Sequence, residues 1–86
     1  MSKEYQIIFD RRSEKALQSL PTSEHRRIQK AIDGLALDPR PRGAIKLSGD
    51  TSWRIRVGDY RIIYDIQDSA LIVMVIKIGH RREVYR

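Results

Sequence analysis

The stretch Trp53-Arg54-Ile55-Arg56-Val57-Gly58-Asp59-Tyr60-Arg61-Ile62-Ile63-Tyr64 constrains the fold more than any other. Apolar residues recur at every second position on both sides of Gly58-Asp59. That alternation marks a half-buried β-strand. A two-residue connection with glycine first predicts a hairpin closed by a type II′ turn. The turn length fixes the register. Val57 then faces Tyr60, Arg56 faces Arg61, Ile55 faces Ile62 and Trp53 faces Tyr64. Trp53, Ile55, Val57, Tyr60, Ile62 and Tyr64 form a core face, and Arg54, Arg56 and Arg61 lie on the other.

Arg56 and Arg61 directly across from each other repel. An anion, either a phosphate or an acidic partner, compensates such an arrangement. Asp59, Asp65 and Asp68 are acids close enough in sequence to neutralise part of it. A register slip of one residue would undo the pairing, because it exchanges the two faces.

The remaining segments place the hairpin in an α+β domain. Tyr5, Ile7 and Phe9 alternate within residues 4–9, which predicts a short strand. Asp10 or Ser13 caps a helix with Ala16, Leu17 and Leu20 on its apolar stripe, stopped by Pro21. A second helix starts at Thr22 or Ser23 and ends near Leu37, with Ile28, Ala31, Ile32 and Leu35 on one face. Residues 38–44 form the main irregular link. Leu71 to Ile78 is almost wholly apolar and reads as a strand buried on both faces, ended by Gly79. A basic tail runs from His80 to Arg86. The predicted order is βααβββ: a small, antiparallel-rich sheet with a helical hairpin packed on one face.

Charge then narrows the function. The chain has 86 residues and a net charge of +6, enough length for one domain, residues 1–86. Residues 40–86 carry ten Lys/Arg against five Asp/Glu, whereas residues 1–39 are nearly balanced. Nucleic acid or an acidic protein is therefore the expected partner. With no cysteine and two histidines, thiolate chemistry is excluded and no metal or other cofactor is expected. The longest apolar run, Leu71 to Ile76, is too short to span a bilayer, and no secretory signal is visible. A cytoplasmic protein is the expectation.

At this point the residues carry a family resemblance. The Trp53–Tyr64 core, followed by Ile78-Gly79-His80-Arg81-Arg82-Glu83-Val84-Tyr85, resembles the RelE branch of the RelE/ParE toxin superfamily. Leu35, Asp38-Pro39, Lys46-Leu47-Ser48-Gly49 and the Tyr5 to Phe9 strand fit the same pattern. The resemblance implies the RelE-like, microbial ribonuclease-type fold. It also implies the toxin of a type II toxin-antitoxin system, a ribosome-dependent endoribonuclease that cuts mRNA in the A site. A cognate antitoxin, acidic in its binding segment, would neutralise it. The toxin would be monomeric when free and hetero-oligomeric with that antitoxin.

Carried over by position, Arg54, Arg56, Arg61, Arg81 and Tyr85 are the implied catalytic set, and Arg82 is a further RNA-binding cation. The implied reaction is transesterification, in which a 2′-hydroxyl attacks the adjacent phosphorus. Arginines stabilise the charge that builds up there. The best-known form has lysines at the positions of Arg54 and Arg56. Arginine does not give up its proton, so proton transfer falls to Tyr85 and His80, either of which can be the base; Tyr85 as base with His80 as acid is the expected assignment. Two other readings share the scaffold: a ParE-like gyrase poison, and a catalytically degenerate basic interaction module.

Overall fold

Local sequence sets each element, and tertiary contacts trim it. The computed structural model describes residues 3–47 and 51–80. Strand β1 spans Gln6–Phe9. Helix α1 spans Arg11–Gln18, and the Asp10 carboxylate accepts from the Arg12 backbone N–H at its start. Ser13, the other candidate cap, has a different task. It is buried, and its hydroxyl lies 2.8 Å from both the Asp10 and Val75 carbonyl oxygens, tying the helix to the sheet. Helix α2 spans Thr22–Gly34, and its last turn continues as looser turns through Leu37.

Four strands follow, one more than expected: β2 (Ile45–Lys46), β3 (Ser52–Val57), β4 (Tyr60–Gln67) and β5 (Ile72–His80). Strand β2 has two residues, too few to show alternation in sequence. The sheet order is β1-β5-β4-β3-β2. β1 runs parallel to β5, and the other pairs are antiparallel. Both helices cover one face. Leu17, Ile28, Ile32 and Leu35 meet Ile55, Ile62, Tyr64, Ile66, Val73, Val75 and Ile78 in a single core.

β5 corrects the expectation of a strand buried on both faces. Val73 and Val75 are fully buried on the core face, but Ile76 is 40% exposed and Lys77 is also exposed. The strand also runs through Gly79 to His80 instead of stopping at the glycine. The cause is a β-bulge. Tyr64 pairs with Val75, yet Ile63 pairs with Lys77, so Ile76 has no partner. The extra residue returns Ile78 to the core, where it is 7% exposed.

The link after α2 is pinned by side chains. The Tyr64 hydroxyl donates to the Pro39 carbonyl at 2.6 Å. Arg40 donates twice to Asp68, at 2.7 and 3.2 Å, and its guanidinium lies 5.4 Å from the centre of the Trp53 ring. Tyr5 donates to the same carboxylate at 2.6 Å. Arg40 and Tyr5 together hold the Asp68 carboxyl below its usual range, and the Asp68 bond pushes the Tyr5 phenol up.

The hairpin turn is a place where backbone conformation demands glycine. Gly58 has φ +60°, and Asp59 does not share the left-handed region, as a type II′ turn requires. A Cβ there would also stand 3.1 Å from an Arg27 guanidinium nitrogen. Gly58→Ala should therefore lower stability by about 1–2 kcal/mol, chiefly through the backbone. A urea unfolding midpoint checks this; an unchanged midpoint would contradict it.

Candidate functional site: a face of arginines

The hairpin register is as the alternation predicts: Val57↔Tyr60, Arg56↔Arg61, Ile55↔Ile62 and Trp53↔Tyr64. Directly paired residues point to the same side of a sheet. The face turned away from the helices therefore carries two adjacent basic rungs. One rung holds Arg56, Arg61 and, across β5, Gly79. The next holds Ile45, Arg54, Ile63 and Lys77.

The three arginines differ in environment. Arg56 is exposed, Arg54 is half-buried, and Arg61 is only 7% exposed. Arg61 is thus not a solvated surface cation. Its neighbours across the two flanking strands are another arginine and a glycine, which contributes no side chain. The charge of a sequestered guanidinium acts on an adjacent anion more strongly than it would in water. Planar and permanently cationic, it can hold two oxygens of a phosphate or carboxylate at once.

The acids near the hairpin are mostly engaged elsewhere. Asp68 is taken by Arg40 and Tyr5 at the far end of the sheet. Asp65 accepts from the Thr51 hydroxyl. Asp59 sits in the exposed hairpin turn.

His80 does not join the arginine face. It pairs with Tyr60, so its ring lies on the helix side, edge-on to the Tyr60 ring at 5.7 Å between centroids. Nearness in sequence to the arginines suggested otherwise. The bulge at Ile76 sets the parity of everything after it, and nothing in an apolar run reveals a bulge. His80 instead lines a small pocket of about 180 Å³ with Glu24, Arg27 and Tyr60, whose hydroxyl donates to Glu24 at 3.0 Å. Arg81, Arg82 and Tyr85 lie outside the described residues, as do Ser48 and Gly49. They follow β5 and β2 respectively.

A residue the sequence reading passed over also reaches this region. Among the described residues β2 pairs only with Trp53 and Arg54, so no strand pairs with the outer edge of β3 from Ile55 to Val57. A groove of about 570 Å³ follows that edge, with Arg42, Arg54 and Arg56 around apolar Ile45, Ile55 and Val57. Arg42 sits in an irregular link, where no periodicity assigns a side chain to a face.

Comparison with known proteins fits this geometry. A family model described as the ParE toxin of type II toxin-antitoxin system, parDE, matches residues 7–85. Among solved structures, the archaeal RelE–RelB complex from Pyrococcus horikoshii OT3 is 31% identical, with a TM-score of 0.80 over 94% of this chain and 99% of that one. The isolated Escherichia coli RelE toxin is 29% identical, with a TM-score of 0.79 over 94% of this chain and 90% of that one. The RelBE2 toxin-antitoxin complex of Mycobacterium tuberculosis is 25% identical, with a TM-score of 0.77 over 91% of this chain and 99% of that one. No match was found among curated proteins. Nearly the full length of the chain is matched in both sequence and fold, and it belongs to the RelE/ParE superfamily of type II toxin-antitoxin toxins.

Proposed function

We propose that this toxin is a ribosome-dependent endoribonuclease that cuts mRNA in the A site. The observation that carries the reading is the pair of basic rungs, with Arg54, Arg56 and Arg61 on the sheet face turned away from the helices. A phosphorane centre gathers negative charge on its oxygens, and fixed guanidiniums stabilise that charge without reorganising. The substrate's own 2′-hydroxyl attacks the adjacent phosphorus. The P–O bond to the next 5′-oxygen breaks, leaving a 2′,3′-cyclic phosphate and a free 5′-hydroxyl. No metal or cofactor is part of the proposal.

Arg81 and Arg82 of the tail are further RNA-binding cations in this reading, and Tyr85 takes the 2′-proton. A guanidinium beside a phenol favours its phenolate, which suits a tyrosine to that role. His80 as the acid needs the leaving oxygen to reach around the end of the sheet, because its ring lies on the helix side.

Primer extension on translating mRNA, with and without the purified toxin, tests the reading. Cuts at A-site codons are expected. Tyr85→Phe should lower the cleavage rate by about 10²-fold or more. Unchanged cutting by Tyr85→Phe would remove Tyr85 from the chemistry.

The matched family model carries the ParE name, and a ParE-like gyrase poison is the second reading. A DNA supercoiling assay separates the two: inhibition of gyrase without mRNA cleavage would establish it.

The partner follows from the relatives, two of which were solved with an antitoxin. We infer a cognate antitoxin whose binding segment is acidic and covers the arginines, in competition with RNA. The toxin alone would be a cytoplasmic monomer of one domain. No helix among the described residues is long and apolar enough to cross a membrane.

A further inference from the structure

The bulge in β5 has a consequence for substrate binding. Without it, residues 73, 75 and 77 would share a face, and Lys77 would be driven into the core beside Val73 and Val75. With Ile76 as the extra residue, Lys77 pairs with Ile63 and turns to the arginine face. It stands on the same rung as Arg54. It is also the diagonal neighbour of Arg61, because Arg61 pairs with Gly79, two residues on. Diagonal neighbours in an antiparallel pair are about 7–8 Å apart, within reach of long side chains.

We propose that Lys77 is a further substrate contact of this face and binds a backbone phosphate of the RNA beside the one held by Arg61. The assignment rests on the ribonuclease reading above. Three observations support it. Bulges re-aim side chains beside functional sites, and this one delivers a cation onto a face already holding three. Lys77 is exposed and forms no ion pair with any described residue. The one carboxylate on its side of the neighbouring strand, Asp65, accepts from the Thr51 hydroxyl. A lysine ammonium is a compact charge with three rotatable donors on a flexible stem. It can therefore follow a phosphate whose position varies, whereas the more deeply placed Arg61 fixes one.

The test measures binding of the purified toxin to ribosomes programmed with a defined mRNA and an empty A site, across a salt series. Lys77→Ala should weaken binding about threefold to tenfold and lower the slope of log affinity against log salt by about 0.7–1. Lys77→Arg should restore most of the affinity. Lys30→Ala, an exposed cation on α2, should change neither quantity. In cleavage, Lys77→Ala should raise KM and leave the rate at saturation near wild type. A wild-type salt slope and KM for folded Lys77→Ala, with Arg61→Ala impaired, would overturn the Lys77 assignment alone. Equal binding by wild type and Arg61→Ala, with no cleavage by either, would overturn the ribonuclease reading and this assignment with it. Unfolding midpoints of Lys77→Ala and Lys77→Gln verify that the variants are folded.

Discussion

Arg61→Ala is expected to reduce A-site cleavage by about 10²–10³-fold, the usual effect of removing one fixed charge-stabilising donor from a reacting centre. Among the three arginines of the hairpin, Arg61 should matter most, because it is 7% exposed whereas Arg56 is open to solvent. Water screens Arg56 and does little to screen Arg61. Arg61→Lys should recover only part of the activity, since an ammonium cannot hold two phosphate oxygens in the planar fork. Arg56→Ala should cost less and show mainly as weaker, more salt-sensitive binding. Primer extension gives the cleavage, and a urea midpoint for each variant separates lost chemistry from lost folding. Full A-site cutting by folded Arg61→Ala would remove Arg61 from the site.

Two kinds of information decided how far the sequence could be read. The hairpin was legible because turn length and alternation over-determine its register: a slip would bury Arg54 and Arg56 and expose Ile55 and Ile62. The helices were legible from their apolar spacing, to within a few residues at their ends. β5 was not. Residues 71–76 are apolar at both parities, so no pattern distinguishes a straight strand from a bulged one. The faces of Lys77 and His80 depend on that bulge, which is why a site reading from sequence joined His80 to the arginines and overlooked Lys77. Long-range pairings escaped for another reason. Arg40 meets Asp68 across 28 positions, and each residue alone looks like a solvated loop charge. The burial of Arg61 escaped likewise, because alternation gives a face but not what lies against it.

Tyr64 should carry the largest single effect on stability. It is fully buried at the centre of the core, and its hydroxyl donates to the Pro39 carbonyl at 2.6 Å. Tyr64→Ala removes the ring and should cost about 3–5 kcal/mol. A domain of this size has a total of about 4–13 kcal/mol, so that variant should be partly unfolded at 37 °C. Tyr64→Phe isolates the hydroxyl. It keeps the packing but leaves the buried Pro39 carbonyl without its donor, at a cost of about 1–2 kcal/mol. The pH dependence provides a second readout. Burial pushes the Tyr64 phenol from 10.0 up to about 12. A phenol raised in the folded state favours the neutral form, so its contribution is complete below pH 10 and is lost as pH rises toward about 12. The Asp68 carboxyl is shifted the other way, so its bridge to Arg40 contributes above the ordinary aspartate range and is lost as pH falls below it. Stability of the wild type should therefore decline at alkaline pH more steeply than that of Tyr64→Phe. Equal alkaline slopes for the two proteins in urea titrations would show that the Tyr64 phenol does not govern this limb.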